Sequence, residues 1–478
     1  MILNKANLPT IDSLQKPTPD IFNLPEKVLQ FGTGVLLRGL PDYFIDKANK
    51  QGLFNGRVVV VKSTDTGGAD AFSVQDGLYT ICVRGIEEGK QIHENIISGA
   101  ISRVLSARSQ WQDILQCARN PELQTVISNT TEVGIQLVEE KIDQQPPASF
   151  PAKLLAFIYE RYKAFKGAAD KGLVIIPTEL IVGNGDTLKK IVWQLAEYNG
   201  LEADFKQWLN EHNRFCNSLV DRIVPGKPQG ETLSYTDDLT IMCEPYRLWA
   251  IEGDEKVKEV LSFHKADEGV IIAPDIEVYR ELKLRLLNGT HTLSCGRAFL
   301  SGFATVKEAM ADKDFGAFVE ALMLHEIAPA IPVSIDAAVS EKFGRQVLDR
   351  FRNPAIKHQW ISITMQYTSK MKMRVIPVLK KYVTTFNKVP DHIARGFAAY
   401  IVFSKPVSKE GNKYFGSFRG ESYPVNDDQA GWFYEAWQQH TTPAAITKAV
   451  LGNTDFWGED LNALPGFAGA VEEYIAGK

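Results

Sequence analysis

One segment, residues 27–62, constrains the fold more than any other part of the chain. It begins with an apolar run at residues 27–31, passes through the turn Gly32-Thr33-Gly34 and a helical stretch at residues 35–51, and ends in a second apolar run, Arg57–Lys62. Two apolar runs joined by a helix of this length are typical of a βαβ unit, whose strands are parallel. The segment therefore predicts an α/β fold with helices covering a parallel sheet.

The rest of the chain divides into two regions with different predicted secondary structure. Apolar runs at residues 125–128 and 172–177 predict further parallel strands, and residues 78–105 predict extra strands or a hairpin that extends the sheet. After Asp275 the β-branched runs become rare and the apolar spacing becomes helical. We therefore expect two domains, 1–268 with the doubly wound sheet and 269–478 all-helical or mostly so.

Gly32 and Gly34, between a strand and a helix, form half of a dinucleotide-binding fingerprint. The first glycine permits the turn, and the second lets the backbone approach a pyrophosphate at the helix N-terminus. Leu37 stands where the third glycine would be, and Arg38 follows as a cation that could reach phosphate. On this interpretation the first domain is Rossmann-like. The alternative is that Gly32 and Gly34 form a purely structural turn that binds no nucleotide. The candidate cofactor residues here are Gln30, Phe31, Gly32, Thr33, Gly34, Val35, Leu36 and Arg38.

The residues after the second strand leave the choice of nucleotide open. The acidic residue expected there would bind the adenosine ribose, but Lys62-Ser63 occupies that place and Asp65 lies two residues further on. Lys62 would favour a 2′-phosphate and hence NADP. Asp65, which completes the set of cofactor candidates, would bind the ribose diol and favour NAD.

A polar trio near the middle of the chain, Lys283, Asn288 and His291, could form an acid/base site. At about 100° per residue on a helix, Asn288 lies about 140° and His291 about 80° round from Lys283, so all three can converge on one cleft. Such a trio suits proton transfer to a carbonyl or from an alcohol. An amphipathic core helix with solvated polar ends is the alternative.

Composition excludes several classes of function. The net charge of -5 gives no general field for nucleic acid or an anionic membrane. The five cysteines form no CxxC pair and the eight histidines no HExxH pair, so no metal site is expected. No window approaches the roughly 20 apolar residues of a membrane span, and the N-terminus lacks a signal core. We expect a cytoplasmic protein that has no nucleic-acid or membrane partner and no obligate protein partner.

Six segments between residues 31 and 291 resemble the polyol-specific long-chain dehydrogenases, the family of mannitol dehydrogenase, and the resemblance covers nearly the whole chain. The most specific is the K-x-x-x-x-N-x-x-H pattern of Lys283, Asn288 and His291, which matches the catalytic pattern of the family. The others are F-G-x-G-x-x-x-R at residues 31–38, Q-D-G-L-Y at 75–79, N-T-T-E at 129–132, the V-D-R-I-x-P run within 217–225, and E-P-Y with a tryptophan at 244–249.

One departure points to a branch of the family. Mannitol dehydrogenases carry an oxygen-holding asparagine where this chain has Leu180, and the surrounding P-T-E-L-I-x-G-N-G resembles the branch that reduces a keto-uronate. Asn184 in this stretch is a candidate for substrate binding. A uronate also needs cations for its carboxylate. Lys370 and Arg374, four residues apart, match a family element near the substrate, and Arg352 is a further candidate. Solvated surface cations are the alternative.

The resemblance implies an NAD-dependent hydride transfer that interconverts D-tagaturonate and D-altronate, without a metal. Lys283 would be the general acid in reduction and the base in oxidation, Asn288 would donate to the reacting oxygen, and His291 would orient the substrate hydroxyl or the lysine. The substrate would be a sugar acid or polyol, with fructuronate or mannitol as alternatives and NADP not excluded. A protein that senses NAD without turnover, or an interaction protein, would not need the polar trio.

Overall fold

The computed structural model describes residues 1–12, 15–63, 69–130 and 134–477. The chain forms two compact units: Met1–Arg84 with Gln91–Ile276, and Gly85–Lys90 with Glu277–Lys478. In the described ranges, no helix has both the length and the apolar character needed to cross a membrane. The strands, in chain order, are β1 (Glu26–Phe31), β2 (Arg57–Lys62), β3 (Tyr79–Glu87), β4 (Lys90–Ser98), β5 (Ile101–Ser106), β6 (Thr125–Ser128), β7 (Val174–Pro177), β8 (Arg214–Phe215), β9 (Ser218–Asp221), β10 (Ile241–Cys243), β11 (Leu248–Glu252), β12 (Val270–Ala273), β13 (Ser408–Glu410), β14 (Lys413–Phe418) and β15 (Glu421–Pro424).

The first unit is built on a parallel sheet of six strands in the order β5-β2-β1-β6-β7-β8. Numbered within this sheet alone, the order is 3-2-1-4-5-6, which is typical of dinucleotide-binding sheets. The chain order reverses between β1 and β6, so a crevice forms at the carboxyl ends of these two strands. The predicted doubly wound α/β fold is confirmed.

Both faces of this sheet are covered. Successive side chains of β1 and β2 enter opposite cores, with Val28, Val58 and Val60 in one cluster and Leu29 and Val59 in the other. A strand buried on both sides needs apolar residues at every position rather than at alternate ones. This requirement explains the continuous valine run of β2, all of whose residues are buried.

The region predicted to extend the sheet does so only in part. β5 joins the parallel sheet, but β3 and β4 form a separate three-stranded sheet with β10. A third small sheet contains β9, β11 and β12. The N-terminal arm is also packed, since Leu3, Leu8 and Ile11 are buried against Leu78 and Ile97.

The helix predicted at residues 35–51 is two helices, Val35–Gly39 and Pro41–Lys50. Leu40 between them leaves helical geometry at φ −133° and ψ −76°. Pro41 has no N–H to continue the first helix, and it is well suited to the first turn of a new one. The remaining helices of the first unit are Leu8–Thr10, Pro19–Asn23, Ala69–Val74, Trp111–Cys117, Phe150–Phe165, Ala169–Lys171, Asn184–Tyr198, Ala203–His212, Glu255–Val260 and Ser262–Ala266.

The second unit is mostly helical and also contains the small antiparallel sheet of β13, β14 and β15. Three of its helical stretches have π geometry: Lys283–Gly289, Leu322–Ile327 and Met371–Val375. The α- and 3₁₀-helices are Glu277–Leu282, Thr290–Ser301, Val306–Ala311, Lys313–Ala321, Ala328–Ala330, Ala337–Phe351, Trp360–Ile363, Tyr367–Lys370, Ile376–Phe386, Asp391–Phe403, Ala430–Gln439, Pro443–Leu451, Thr454–Trp457, Leu461–Ala463 and Phe467–Ile475.

Two glycines let the central helices of this unit cross closely. A Cβ on Gly396 would lie 2.7 Å from the carbonyl oxygen of Leu293, and one on Gly296 would lie 3.1 Å from that of Ala399. The helix Thr290–Ser301, which continues directly from the first π segment, is thereby fixed against Asp391–Phe403 in the core of the unit.

Candidate active site

The glycine loop follows β1 at the crevice between β1 and β6. Gly32 has a φ of +127°, and a Cβ there would lie 2.9 Å from Cδ1 of Leu37 and 3.0 Å from the carbonyl oxygen of Asn129. Both the conformation and the space therefore require glycine. Gly32 shapes the turn and brings it close to the end of β6.

Gly34 is different, because nothing inside the described protein explains it. Its φ of −60° suits any residue, and a Cβ there would meet no atom within 4 Å. Gly34 is the exposed N-cap of the helix Val35–Gly39, and Thr33, Val35 and Leu36 beside it are partly accessible. A glycine that leaves room for an external group fits the close approach of a pyrophosphate.

Three of the predicted cofactor residues direct their side chains inward. Arg38 is buried, donates to the carbonyl of Leu239 and lies over the rings of Phe72 and Tyr79. Its guanidinium therefore supports the fold rather than the phosphates, which corrects the prediction. Buried Gln30 donates to Asp42 Oδ2 at 3.3 Å.

Phe31 is also buried and packs on Phe150 at 5.1 Å between ring centroids, so only its backbone is left for the loop. Asp65, the predicted ribose ligand, lies outside the described residues, as do Thr131 and Glu132 of the N-T-T-E element. Lys62, which was considered as a ligand for a 2′-phosphate, is buried at the end of β2.

Asn184 is a structural residue, which corrects its assignment to the substrate. It is 1% exposed, its Nδ2 donates to the carbonyls of Pro177, Glu179 and Ser218, and its Oδ1 accepts from the N–H groups of Gly185 and Ser218. The amide has no capacity left for a ligand. Leu180 beside it is 65% exposed, so it contributes apolar surface where mannitol dehydrogenases carry an asparagine.

Lys283 and Asn288 are both half-buried, and they lie on the π segment Lys283–Gly289 rather than on an α-helix. The α-helical separation of about 140° therefore does not hold. A ladder of i→i+5 bonds places residues five apart above one another, so it brings Lys283 and Asn288 towards the same side. The side-chain amide of Asn288 makes no hydrogen bond within the described part of the chain, so it is available to a ligand.

His291 lies at the first turn of the α-helix that follows. Its ring stacks on Phe351 at 4.0 Å between centroids and meets the rings of His358 and Trp360 edge to face. Burial, followed by the charges of His358 and Arg350, lowers the pKa of His291 well below its ordinary value. The imidazole is therefore neutral near pH 7. Its Nε2 is shielded and has no partner among the described residues.

Lys370 and Arg374 lie together at the π segment Met371–Val375, with Lys370 just before its first residue. This segment packs against Lys283–Gly289. Lys370 Nζ donates to the carbonyl of Ile363 at 2.9 Å. Burial and the charge of Arg374 lower the pKa of Lys370, and burial also lowers the pKa of Arg374. The Nε of Arg374 is buried without a partner among the described residues, so it is a donor that a bound anion would satisfy.

Thr292 is a site residue that sequence reasoning missed. Its hydroxyl accepts from Arg374 Nη1 at 3.1 Å and donates to the backbone carbonyl of Asn288 at 2.7 Å. Thr292 thus joins the π segment Lys283–Gly289 to the π segment Met371–Val375, and it does so at Asn288, the candidate donor, and Arg374, the candidate cation. Its position four residues after Asn288 is a helical spacing, but the sequence gives no sign of its link to Arg374.

Arg352 is the one predicted substrate cation that the structure places elsewhere. Its side chain is 39% exposed and pairs with Glu320 at 3.3 Å on the surface of the second unit. An exposed pair of this kind is a solvated surface feature. The prediction for Arg352 is therefore corrected. Of the predicted substrate cations, Lys370 and Arg374 lie near His291, and the charge of Arg350 also acts on it.

Comparison with known proteins identifies two consecutive domain families. The mannitol dehydrogenase Rossmann domain matches residues 26–265, and the mannitol dehydrogenase C-terminal domain matches residues 275–476. The altronate oxidoreductase of Enterobacter sp. (strain 638) is 39% identical over 462 residues, covering 94% of this chain and 93% of that protein. That of Bacillus subtilis (strain 168) is 38% identical over 461 residues, covering 94% and 92%.

Two solved structures share the fold. The ternary complex of Pseudomonas fluorescens mannitol 2-dehydrogenase with NAD and D-mannitol has a TM-score of 0.64 at 23% identity, covering 100% of this chain and 96% of that one. A substrate-free D-sorbitol dehydrogenase has a TM-score of 0.75 at 20% identity, covering 97% and 100%.

Proposed function

The chain belongs to the mannitol dehydrogenase family of oxidoreductases, and from that premise we propose that it interconverts D-tagaturonate and D-altronate with NAD. Relatives with 38–39% identity carry the name altronate oxidoreductase, which supports a sugar acid as the substrate. One structural observation carries the proposal. A half-buried lysine and asparagine lie on the π segment Lys283–Gly289, and two cations suited to a carboxylate lie on, and immediately before, the π segment Met371–Val375 packed against it.

The first unit fits a dinucleotide. Gly34 leaves open space at the crevice of a sheet with the strand order typical of dinucleotide binding, and Gly32 fixes the turn that opens it. The backbone of Gly32, Thr33 and Gly34 would hold the pyrophosphate, with Val35 and Leu36 beside it. When bound, NAD supplies or accepts the hydride.

The polar trio provides the proton chemistry. In the reduction, Nζ of Lys283 gives a proton to the ketone oxygen as the alcohol forms, and in the oxidation it takes the proton back. The Nδ2 of Asn288 donates to the same oxygen while negative charge develops on it, a contribution that reaches a few kcal/mol in a dry site. His291 is neutral, so it orients by hydrogen bonding and adds no charge.

The cations hold the other end of the substrate. A uronate differs from a polyol by its carboxylate, which Arg374 binds through its fork of N–H donors and Lys370 through its point charge. Thr292 occupies one donor of Arg374, and the remaining donors are left for the ligand. A carboxylate, which neutral mannitol lacks, gives both cations a charged partner.

The test is steady-state kinetics, following NADH absorbance with tagaturonate, fructuronate and fructose, each repeated with NADPH. We expect the highest kcat/KM with tagaturonate and NADH. Fructose as the best substrate would overturn the sugar-acid assignment, and fructuronate would move it to the sister activity. A preference for NADPH would overturn the choice of NAD and leave the reaction class unchanged.

A further inference from the structure

Arg285 lies inside the catalytic π segment, between Lys283 and Asn288, yet it faces away from solvent. Its side chain is only 8% exposed and pairs with the equally buried carboxylate of Glu281. Two contacts form this pair, Nε to Oε2 at 2.9 Å and Nη2 to Oε1 at 3.1 Å. A two-point pair of this kind fixes the plane of the guanidinium.

The remaining end of this guanidinium binds the backbone of the π segment Met371–Val375. Nη1 of Arg285 donates to the backbone carbonyl of Met373 and, at 3.1 Å, to that of Arg374. Arg285 therefore reaches across from the first π segment to the backbone that carries one of the two cations. Arg374 is held twice, by its carbonyl through Arg285 and by its guanidinium through Thr292.

The sequence explains why the π segment Met371–Val375 needs a hydrogen-bond donor from another part of the chain. Pro377 lies four residues after Met373 and has no N–H, so the carbonyl of Met373 lacks the α-helical partner it would otherwise have. A buried carbonyl without a partner is costly. The guanidinium of Arg285 supplies the missing donor at the place where the segment departs from α-helical geometry.

We propose that Arg285 is a positioning residue that holds the π segment Met371–Val375 in the shape that presents Lys370 and Arg374, and so sets the preference for sugar acids over neutral sugars. This inference rests on the proposed function, because it takes these two cations as the carboxylate site. Arg285 itself is fully engaged inside the protein and does not touch the substrate.

The experiment compares two ligands that differ only at the carboxylate, D-altronate and D-altritol, by calorimetry on the NADH-bound enzyme. Arg285→Met should weaken altronate at least tenfold and altritol less than threefold, with the Kd of NADH changed less than twofold. Arg285→Lys keeps one charge but cannot form all four contacts, so it should fall between the wild type and Arg285→Met. Arg280→Met, which removes a partly exposed arginine five residues earlier, is the matched control and should leave both ligands unchanged.

A second readout separates positioning from general stability. Backbone amides of residues 371–379 should exchange hydrogen faster in Arg285→Met than in Arg280→Met, while other helices of the unit stay protected. If Arg285→Met does not fold, the ligand affinities and the hydrogen exchange are measured on Arg285→Lys and Glu281→Gln instead. Equal weakening of altronate and altritol, or of neither, would overturn the role of Arg285. A wild-type enzyme that binds both ligands equally would instead refute the carboxylate site itself.

Discussion

At the scale of single residues, two asparagines, one in each unit, differ in how their side-chain amides are hydrogen-bonded. The side-chain amide of Asn184 uses all its hydrogen-bond donors and acceptors on the surrounding backbone. The side-chain amide of Asn288 has no hydrogen-bond partner in the described chain. Asn288 is half-buried, so its amide can be reached by water or by a ligand. This contrast separates the structural Asn184 from Asn288, the asparagine proposed to act on the substrate, and residue type alone does not.

His291 should make the protein sensitive to acid. Its pKa is well below the ordinary value near 6.5 because of burial, so the unfolded chain takes up a proton that the folded chain refuses. The unfolded state then binds more protons below about pH 6.5, and stability falls as the pH drops through that range. Denaturant titrations at pH 5 and pH 7.5 should show a smaller loss in His291→Gln than in the wild type.

The matched control is His325→Gln, which replaces an exposed imidazole in the same unit. Equal losses in the His291 variant and the wild type would show that the folded state accommodates a charged His291.

Asp42 should have the opposite effect in the first unit. It is fully buried, and burial, only partly offset by the hydrogen bond from Gln30 and the charge of Arg38, raises its pKa to about 7. Asp46 and Tyr79 are the other titratable groups near it. The folded state keeps a proton that the unfolded chain releases near pH 4, so stability falls as the pH rises from 4 to 7.

Asp42→Asn removes this titration. Relative to the wild type, the variant should gain up to about 4 kcal/mol in the free energy of unfolding between pH 4 and pH 8. Denaturant titrations of both proteins at the two pH values measure the gain. A difference that does not vary with pH would mean that Asp42 is ionised in the folded state at pH 4.

At the scale of elements, the sequence was sufficient wherever a local pattern decides the structure. β2 and β6 have the predicted bounds, because strands buried on both faces need continuous apolar runs. The π geometry of Lys283–Gly289 was not predictable, since it arises together with packing against a segment about 90 residues away. The inward direction of Arg38 likewise depends on Leu239, about 200 residues further along the chain.

The glycine loop offers a matched pair of variants. Gly32→Ala puts a Cβ at a φ of +127° and within 3.0 Å of two atoms, so it should destabilise the protein by about 1–3 kcal/mol. Gly34→Ala meets no atom and needs no unusual φ, so its stability should stay within about 0.5 kcal/mol of the wild type.

Cofactor binding should nevertheless be weaker in Gly34→Ala, the stable variant. The added methyl group of Gly34→Ala lies where the pyrophosphate would approach the backbone, so the affinity for NADH should fall at least tenfold. Fluorescence titration with NADH measures this affinity, and denaturant titration measures the stability of both variants. Binding of NADH by Gly34→Ala at wild-type strength would mean that the loop does not hold the dinucleotide.

At the scale of the whole molecule, the proposed function assigns each unit a different part of the reaction. The proposed nucleotide site lies in Met1–Arg84 with Gln91–Ile276, and the proposed proton donor and carboxylate cations lie in the unit that includes Glu277–Lys478. Damage to one function should therefore leave the other measurable. This separation does not follow from the motifs alone, because a chain can keep a nucleotide fold and lose its chemistry.

A pair of variants, one in each unit, tests the separation. Binding of NADH to the native state should stabilise it by about 2.7 kcal/mol at a concentration of 100 Kd. Lys283→Ala should keep this stabilisation in thermal melts and lose turnover by about 10²–10⁴-fold, the usual contribution of a general acid. At the same NADH concentration, Gly34→Ala, whose affinity is at least tenfold lower, should be stabilised by no more than about 1.4 kcal/mol. Near-normal turnover by Lys283→Ala with NADH bound would mean that the proton comes from another group, and then the half-buried lysine of the first π segment would serve the fold instead of the reaction.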